Sequence, residues 1–395
     1  MLIELILSLL CGILAGAISG LIPGIHINLV GALLISLSAS WFISIPPIYL
    51  VVFIVSMAIT HTFIDFIPSI FLGCPDTDTA LSVLPGHELL KKGLGYEAIM
   101  LTAYGGIAAI IILVIIFFPA IKLLPPVYST IESFIPYILI LVSLLLILLE
   151  KKKLSALFVL IVTGILGLII LNIDMKEPLL PLLTGLFGGS MLILSIKNKT
   201  TIPKQKITTP SKSNLFKPIL GAALASPICC FLPGVGSGQA AVIGNLISRT
   251  DRKGFLVLLG ATNIIGMGFS FISLYAISKT RTGAALAIKE IMGTLSIESI
   301  ILILIAVVIS GVISFFLTKK LAVIFSTKIN KINYTFLSFI TLIFLIEIVF
   351  LISGFLGLVC LIVSTLTGIL CISFNVKRVN MMGCLLIPVI IYYFF

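Results

Sequence analysis

Two similar Pro-Gly turns interrupt long apolar runs, and this feature constrains the fold more than any other. Pro233-Gly234 lies in the stretch 231–248, FLPGVGSGQAAVIGNLIS, where glycines break the run before an apolar helix resumes. Pro23-Gly24 does the same in the stretch 19–35, SGLIPGIHINLVGALLI. A break within lipid leaves backbone groups without water, so it is tolerated only where it lines a cavity or packs on protein. The pattern indicates a duplicated membrane unit whose repeated element is the break.

Composition supports a membrane location. The 395 residues are 60% hydrophobic and 10% charged, with a mean hydropathy of +1.32. Many apolar runs reach the roughly 20 residues that cross a bilayer, which no soluble domain needs. The net charge of +11 does not indicate nucleic-acid binding, because the Lys and Arg lie in short loops between these runs. The seven cysteines lie mostly inside apolar runs and include no CxxC pair, so they are expected to be small core residues.

The expected fold is an all-α polytopic membrane protein with two inverted repeats. Each repeat is predicted to hold a broken-helix hairpin, a re-entrant polar segment and about five full transmembrane helices. Residues 1–196 form the first repeat, 197–217 a linker rich in Pro, Ser, Thr and Lys, and 218–395 the second repeat. The polar segments are 61–90 and 278–294. Apolar helices are predicted over residues 2–21, 25–39, 46–60, 96–118, 131–149, 154–172, 178–196, 218–248 around the second break, 254–277, 296–318, 335–352, 354–374 and 380–395.

The distribution of positive charge predicts the orientation in the cell membrane. If the linker is cytoplasmic and each full helix changes sides, 20 of the 25 Lys and Arg lie in cytoplasmic loops. This bias follows the positive-inside rule and places both termini outside. Each half then crosses the membrane an odd number of times, so the second repeat is inverted. Inverted repeats with broken helices are typical of secondary transporters, whose site lies near the midplane.

A small residue recurs at every fourth position before each break. This spacing lets helices approach closely in membranes, so both segments are predicted to pack tightly against a neighbour. The residues are Gly12, Gly16 and Gly20 in the first copy, and Ala222, Ser226 and Cys230 in the second.

The breaks also predict a binding site. A helix that restarts after a break points free N–H groups and its positive dipole end into the gap. Such a terminus binds carboxylate or phosphate, and nearby polar side chains add further donors and acceptors. The alternative is a kink that serves only packing. The substrate-binding candidates at the breaks are Gly24, His26, Asn28, Gly234, Gly236, Ser237 and Gln239.

The polar segments supply the other candidates. His61 aligns with Asn263, and 76–79 with 279–282, so that threonines coincide while charges change sign. Ionisable groups at membrane depth are costly and are functional candidates, although interfacial salt bridges are the alternative. The predicted substrate-binding residues here are Asn263, Thr77, Thr79, Lys279, Thr280, Arg281 and Thr282. The predicted ion-coupling residues, for a proton or Na⁺, are His61, Asp65, Asp76 and Asp78.

No motif indicates catalysis. The glycine-rich 234–239 has no strand before it and no Lys-Ser/Thr after it, so it is not a nucleotide loop. His61 and Asp65 are four residues apart and share a helix face, but two residues make a poor metal site. The chain is therefore expected not to be an enzyme and to need no cofactor or metal.

Several segments resemble the large permease of the tripartite tricarboxylate transporters. The resemblance lies in LSVLPGHELLKKG at 81–93, in CPDTDTA before it, and in the Pro-Gly turns LIPG at 21–24 and LPGVG at 232–236. It is collinear over most of residues 1–320 and fits a shorter, largely uncharacterised branch. The resemblance implies an ion-coupled carrier that works with a small membrane subunit and an external binding protein. His26 and the Cys-Pro-Asp-Thr-Asp loop depart from the pattern of those permeases.

The expected function is secondary-active transport of an anionic substrate, such as a di- or tricarboxylate. Transport would be coupled to H⁺ or Na⁺ and proceed by alternating access between the repeats. The expected partners are the anion, the coupling cation and membrane lipid, with no nucleic acid, and a homodimer is left open. A translocase for a polyprenyl-phosphate lipid carrier is the alternative, since the same pocket suits a phosphate head group. A membrane-embedded lipid-modifying enzyme that uses His61 and Asp65 as acid and base is the third.

Overall fold

A computed structural model of the chain describes residues 2–22, 31, 45–72, 79–197, 203–208, 215–229, 236–328 and 333–394. Within these ranges the chain is helical and contains no β-strand. Eight helical stretches are long and apolar enough to cross a membrane. One of them, Gly95–Leu148, has 54 residues, more than twice the roughly 20 that one crossing takes. The expected all-α polytopic fold is confirmed.

Sixteen α-helices follow one another in the described ranges. Short 3-10 turns lie at Ala80–Ser82, Glu132–Phe134 and Arg378–Met382, and a π-helical turn lies at Thr184–Gly189. The helices are α1 Leu2–Leu21, α2 Pro47–Ile64, α3 Phe66–Leu72, α4 Val83–Lys91, α5 Gly95–Ile131, α6 Ile135–Leu148, α7 Lys153–Leu171, α8 Leu179–Leu183, α9 Ser190–Lys197, α10 Phe216–Cys229, α11 Ser237–Ser248, α12 Arg252–Ile277, α13 Gly283–Met292, α14 Ile297–Lys328, α15 Tyr334–Ser373 and α16 Gly383–Phe394.

Helical structure extends beyond the first predicted polar boundary. α2 was expected to end at residue 60 but continues to Ile64, and α3 begins at Phe66 after the single residue Asp65. The Asp65 N–H donates to the His61 carbonyl over 2.9 Å, which continues the helical bonding pattern. Polar side chains do not end a helix whose backbone bonds remain intact, so the segment predicted to start at 61 is helical as far as Leu72.

Prolines and glycines interrupt the long helices less than the sequence suggests. α5 was predicted to end at residue 118, yet it passes through Pro119, Pro125 and Pro126 to Ile131. A proline removes one backbone bond, which neighbouring groups can replace in a membrane helix. α15 also continues past its predicted boundary, but Gly354 within it has φ 68° and ψ −163° and interrupts the helical geometry. Only glycine adopts that conformation without strain, so this break stands where the sequence placed it.

Two central elements form the interior. In the stretches Pro47–Leu72 (α2 with α3) and Arg252–Ile277 (α12), 89% and 94% of the most apolar windows are buried, against 22% to 61% in the other candidate spans. α5 packs along α12, and α14 packs along α2. At the α5–α12 crossing, a Cβ on Gly260 would overlap the Thr102 carbonyl oxygen, so the two backbones touch. Both central helices are covered by protein on all sides.

The small-residue face of α1 contacts α2 as its spacing predicts. Gly12, Gly16 and Gly20 are buried, and a Cβ on Gly16 would overlap the Met57 carbonyl oxygen. In α10, Ala222 and Ser226 are likewise buried, whereas Cys230 lies outside the described residues. Close packing of α1 against α2 therefore depends on the absence of side chains at these glycines.

Part of the linker is docked on the first half. The Gln205 side chain accepts from the Gly95 N–H at 2.8 Å and donates to the Leu90 carbonyl at 3.0 Å. The Lys206 N–H donates to the Gly93 carbonyl at 2.8 Å. Residues 203–208 thus bind the corner between α4 and α5 rather than spanning open solvent.

Candidate anion-binding site

Two pairs of polar residues are buried in the central helices. Thr60 and His61 lie on α2, and Thr262 and Asn263 lie on α12, each no more than 3% exposed. These are the positions that align between the two halves of the sequence. Polar side chains this deep need partners inside the protein or in a ligand.

α11 begins directly after the second glycine break, and side chains bond to its first turn. The Gly236 N–H donates to Gln239 Oε1 at 2.8 Å. The Ser237 hydroxyl donates to Asn263 Oδ1 at 3.2 Å, which ties α11 to α12. Ser237, Gln239 and Asn263 are all buried. The structure therefore brings four of the predicted binding residues, including Gly236, together at one helix N-terminus.

The side-chain amide oxygens of Gln239 and Asn263 each accept a hydrogen bond here, which leaves the NH₂ group of each amide to be considered. Gln239 Nε2 and Asn263 Nδ2 are buried and have no hydrogen-bond acceptor among the described residues. A buried donor left unsatisfied costs about 1–3 kcal/mol. Together with the backbone N–H groups that open the first turn of α11, these amides form a cluster of neutral donors at the positive end of the helix dipole. That chemistry suits an oxyanion such as carboxylate or phosphate.

The predicted ion-coupling pair lies on α2 and just after it. His61 Nδ1 is 3.0 Å from the Ser19 hydroxyl, so the imidazole bonds across the α1–α2 contact. Asp65 lies one helical turn beyond His61, and its residue is 6% exposed. Two ionisable groups thus share one buried face, where a net charge is expensive.

Two aligned threonines make matching contacts in the two halves. Ser69 of α3 and Thr79 share a hydrogen bond of 2.7 Å, and Ser270 of α12 and Thr282 share one of 2.9 Å. Thr282 also caps α13 by accepting from the Ala285 N–H. The sequence pattern predicted the threonines but not their serine partners. Each serine precedes its threonine by a similar number of residues, and this spacing could have identified the two pairs.

The basic residues of the second polar segment lie further out. Lys279 is exposed, 3.6 Å from a Glu132 carboxylate oxygen and 5.5 Å from the centre of the Tyr128 ring. Thr280 and Arg281 are half-buried. The described contacts of Lys279 thus fit an interfacial salt bridge, which was the alternative interpretation of this segment.

Comparison with known proteins places the chain in a family. The model of the tripartite tricarboxylate transporter TctA family matches residues 6–383. The chain belongs to the TctA family. A relative described as the uncharacterized protein MJ1079, from Methanocaldococcus jannaschii, is 32% identical over 407 residues, which cover 99% of this chain and 98% of that protein. No solved structure matches the chain.

Membership confirms the resemblance seen in the sequence. TctA proteins are membrane components of tricarboxylate transporters, so this chain is a multi-pass membrane transport protein from a transporter family rather than an enzyme family. A tripartite system also has partner components.

Several predictions for the TctA chain concern residues outside the described ranges. The helix expected over 25–39 lies outside the described residues apart from Gly31, whose backbone is close to that of Gly283 at the start of α13. The predicted site residues that lie outside the described residues are Gly24, His26, Asn28, Asp76, Thr77, Asp78 and Gly234.

Proposed function

We propose that this TctA-family chain is the transport subunit of an ion-coupled carrier of di- or tricarboxylates, and that a substrate carboxylate binds at the N-terminus of α11. The observation that carries the proposal is the pair of buried NH₂ groups of Gln239 and Asn263 beside that terminus. Family membership supports the substrate class.

Neutral donors suit a substrate that must bind and then leave. A carboxylate accepts up to about four hydrogen bonds, and amide and backbone N–H groups satisfy them without a fixed opposite charge. A buried salt bridge would instead hold the anion through a strong Coulomb attraction and would cost more desolvation energy to form. Half-buried Arg281 would then attract the anion from outside the cluster rather than contact it at the midplane.

His61 and Asp65 are proposed to carry the coupling proton or Na⁺, with Asp76 and Asp78. Support comes from the burial of His61 and Asp65 on one face of α2. A bound cation there would neutralise the buried carboxylate, which links its binding to a conformational change.

Alternating access between inverted halves is the proposed mechanism, and helix directions support it. α2 with α3 runs parallel to α14, since Thr60 bonds Ser314 and, further along both, Phe71 packs on Phe325. α12 runs parallel to α5, since Lys253 pairs with Glu97 and Gly268 lies against Leu113. If α12 is the repeat of α2 and α14 is the repeat of α5, these two helix pairs are equivalent.

The two pairs run in opposite directions. Tyr104 of α5 packs on Phe315 of α14, and Ile110, later in α5, lies against Gly311, earlier in α14. α5 and α14 are therefore antiparallel. This supports an inverted second half. The distribution of Lys and Arg supports a cytoplasmic linker with both termini outside. The family supports the proposal that the chain works with a small membrane subunit and an external binding protein.

The test uses isosteric variants that keep the fold. Asn263→Asp and Gln239→Glu each keep the oxygen that bonds to α11 but replace the free NH₂ with a carboxylate oxygen, which repels an anion. The control is Thr262→Val, because Thr262 lies one residue away and bonds only its own helix, at the Leu259 carbonyl. Each purified protein would be titrated with citrate, succinate and a polyprenyl phosphate by calorimetry.

We expect citrate or succinate affinity to fall at least about a hundredfold in both acidic variants and by less than twofold in Thr262→Val. Unchanged carboxylate affinity in the acidic variants would exclude this site. Binding of the polyprenyl phosphate alone, lost in the same variants, would select the lipid-carrier translocase instead.

A further inference from the structure

A second buried polar cluster lies away from α11, where the turn after α15 contacts the 3-10 turn Ala80–Ser82 that leads into α4. It contains Arg378 and Asn380 of the 3-10 turn Arg378–Met382, and His87 of α4. Arg378 Nη1, Asn380 Oδ1 and His87 Nε2 are buried, and none has a hydrogen-bond partner in the part of the chain that the structure describes. The cluster thus holds two possible donors and one acceptor without partners among the described residues.

The guanidinium of Arg378 has no counter-charge among the described carboxylates. Its other terminal nitrogen rests on the sulfur of Met191, a weak acceptor. Glu150 reaches the same turn, but its Oε1 accepts from the Lys377 N–H at 3.0 Å and the Asn380 amide at 3.2 Å. Glu150 therefore shapes the turn through neutral donors. A buried cation without a partner is costly, so an anion is expected to complete the site.

His87 faces further positive charge. Burial, followed by the charges of Arg378 and Lys91, lowers the pKa of His87 to about 4. Burial also lowers the pKa of Arg378 to about 10. The charged groups that act on His87 are thus cationic, so an anion bound between His87 and Arg378 would offset them and could accept a hydrogen bond from the neutral imidazole.

The surroundings combine exposed lysines with an apolar surface. Lys151, Lys152 and Lys377 are exposed in the two loops that meet here, and Lys152 reaches the Phe374 carbonyl at 3.5 Å. Beside them on α7, Leu154 is 83% exposed and Phe158 is 45% exposed. Basic loops bordering a lipid-facing helix surface are the usual setting of anionic head groups.

We propose that Arg378 and His87 form a binding site for a phosphate group, supplied by an anionic phospholipid or by a free phosphate ion. The planar guanidinium matches two phosphate oxygens, which a point charge does not. Asn380 Oδ1 adds an acceptor, which fits a head group that carries a hydroxyl, such as phosphatidylglycerol. This site is independent of the carboxylate site at α11.

The experiment titrates delipidated full-length protein in detergent with phosphatidylglycerol, phosphatidylcholine, sodium phosphate and citrate. Binding is read by native mass spectrometry for lipids and by thermal shift for all four. Variants are Arg378→Gln and Arg378→Lys, with Lys151→Gln as the control that removes one exposed charge from the same end. Size-exclusion chromatography confirms that each variant is folded.

We expect phosphatidylglycerol to bind the native protein more tightly than phosphatidylcholine, and Arg378→Gln to lose about tenfold or more in affinity. Arg378→Lys should recover only part of this loss, and Lys151→Gln should stay within twofold. Tight binding of sodium phosphate that displaces phosphatidylglycerol would identify the free ion as the source.

Equal affinity of the native protein and Arg378→Gln for both phosphate probes would overturn the site. If Arg378→Gln does not fold, His87→Gln takes its place and should weaken phosphate binding at pH 5, where an anion favours the protonated imidazole. Unchanged binding in that variant would equally overturn the proposal. Citrate binding that survives Arg378→Gln keeps this result separate from the carboxylate site at α11.

Discussion

The ammonium group of Lys253 lies 2.7 Å from a carboxylate oxygen of Glu97, and this pair joins the first turns of α12 and α5. The Glu97 side chain is 4% exposed and that of Lys253 is 28% exposed, so the carboxylate is the partner that depends on the pair. One helix comes from each half of the sequence. The ion pair therefore fixes how the two halves meet.

Removing the lysine should cost more than removing both charges. Lys253→Met removes the positive charge beside the buried carboxylate of Glu97, which we expect to cost about 3 kcal/mol. The double variant with Glu97→Gln should recover most of that loss. Thermal unfolding in detergent measures both, and simple additivity of the two single variants would contradict this account.

Gly16 should tolerate no side chain. Because a Cβ there would overlap the Met57 carbonyl oxygen, Gly16→Ala is expected to push α1 from α2 and destabilise the protein by about 1–3 kcal/mol. Gly188→Ala is the matched control, since the nearest atom to an added Cβ is 3.7 Å away. Thermal melts of the two variants make the comparison, and equal melting temperatures would show that the contact is loose.

The two Ser–Thr bonds should matter equally. Ser69→Ala and Ser270→Ala each remove one partner of an equivalent hydrogen bond, at an expected cost of about 1 kcal/mol. If the halves act as equivalents in transport, uptake of a carboxylate into liposomes should fall by similar factors. Ser143→Ala is the control, because Ser143 bonds only the Leu139 carbonyl of its own helix. A loss confined to one of the pair would mean that the halves have separate roles.

His87 should make stability depend on pH. Its folded pKa is about 4 against an ordinary 6.5, so between these values the unfolded chain binds a proton that the folded chain does not. Stability from this group is complete above about pH 6.5 and falls as pH drops towards 4. Melting temperatures of the native protein should decrease faster between pH 7 and 5 than those of His87→Gln. Parallel curves would show that His87 titrates normally.

Local sequence patterns predicted which helices form better than they predicted the residues at which the helices end. The spacing of Gly12, Gly16 and Gly20 identified the α1 face that contacts α2, because small residues at every fourth position have one use in a membrane helix. The start of α11 was also predictable, since glycine breaks end apolar runs. Pro119 misled because tertiary contacts sustain a helix across a proline that would end it in isolation.

Partners distant in sequence were beyond prediction. Asn263 and Ser237 were each candidates, but only the packing of α11 on α12 makes them a bonded pair. His87 and Arg378 lie far apart in the sequence, and no spacing rule links them. The fold alone shows that Nη1 of Arg378 is buried rather than solvated.

The pairing of α2 with α14 and of α12 with α5 has a consequence for synthesis. Each central helix finds its long companion in the opposite half, so α2 leaves the ribosome well before α14 exists. Until then its Thr60, which later accepts from Ser314, must be held by lipid, water or an insertase. The nascent first half is thus an intermediate that lacks its packing partners until the second half is made. A chain truncated at the linker should therefore be degraded by membrane proteases.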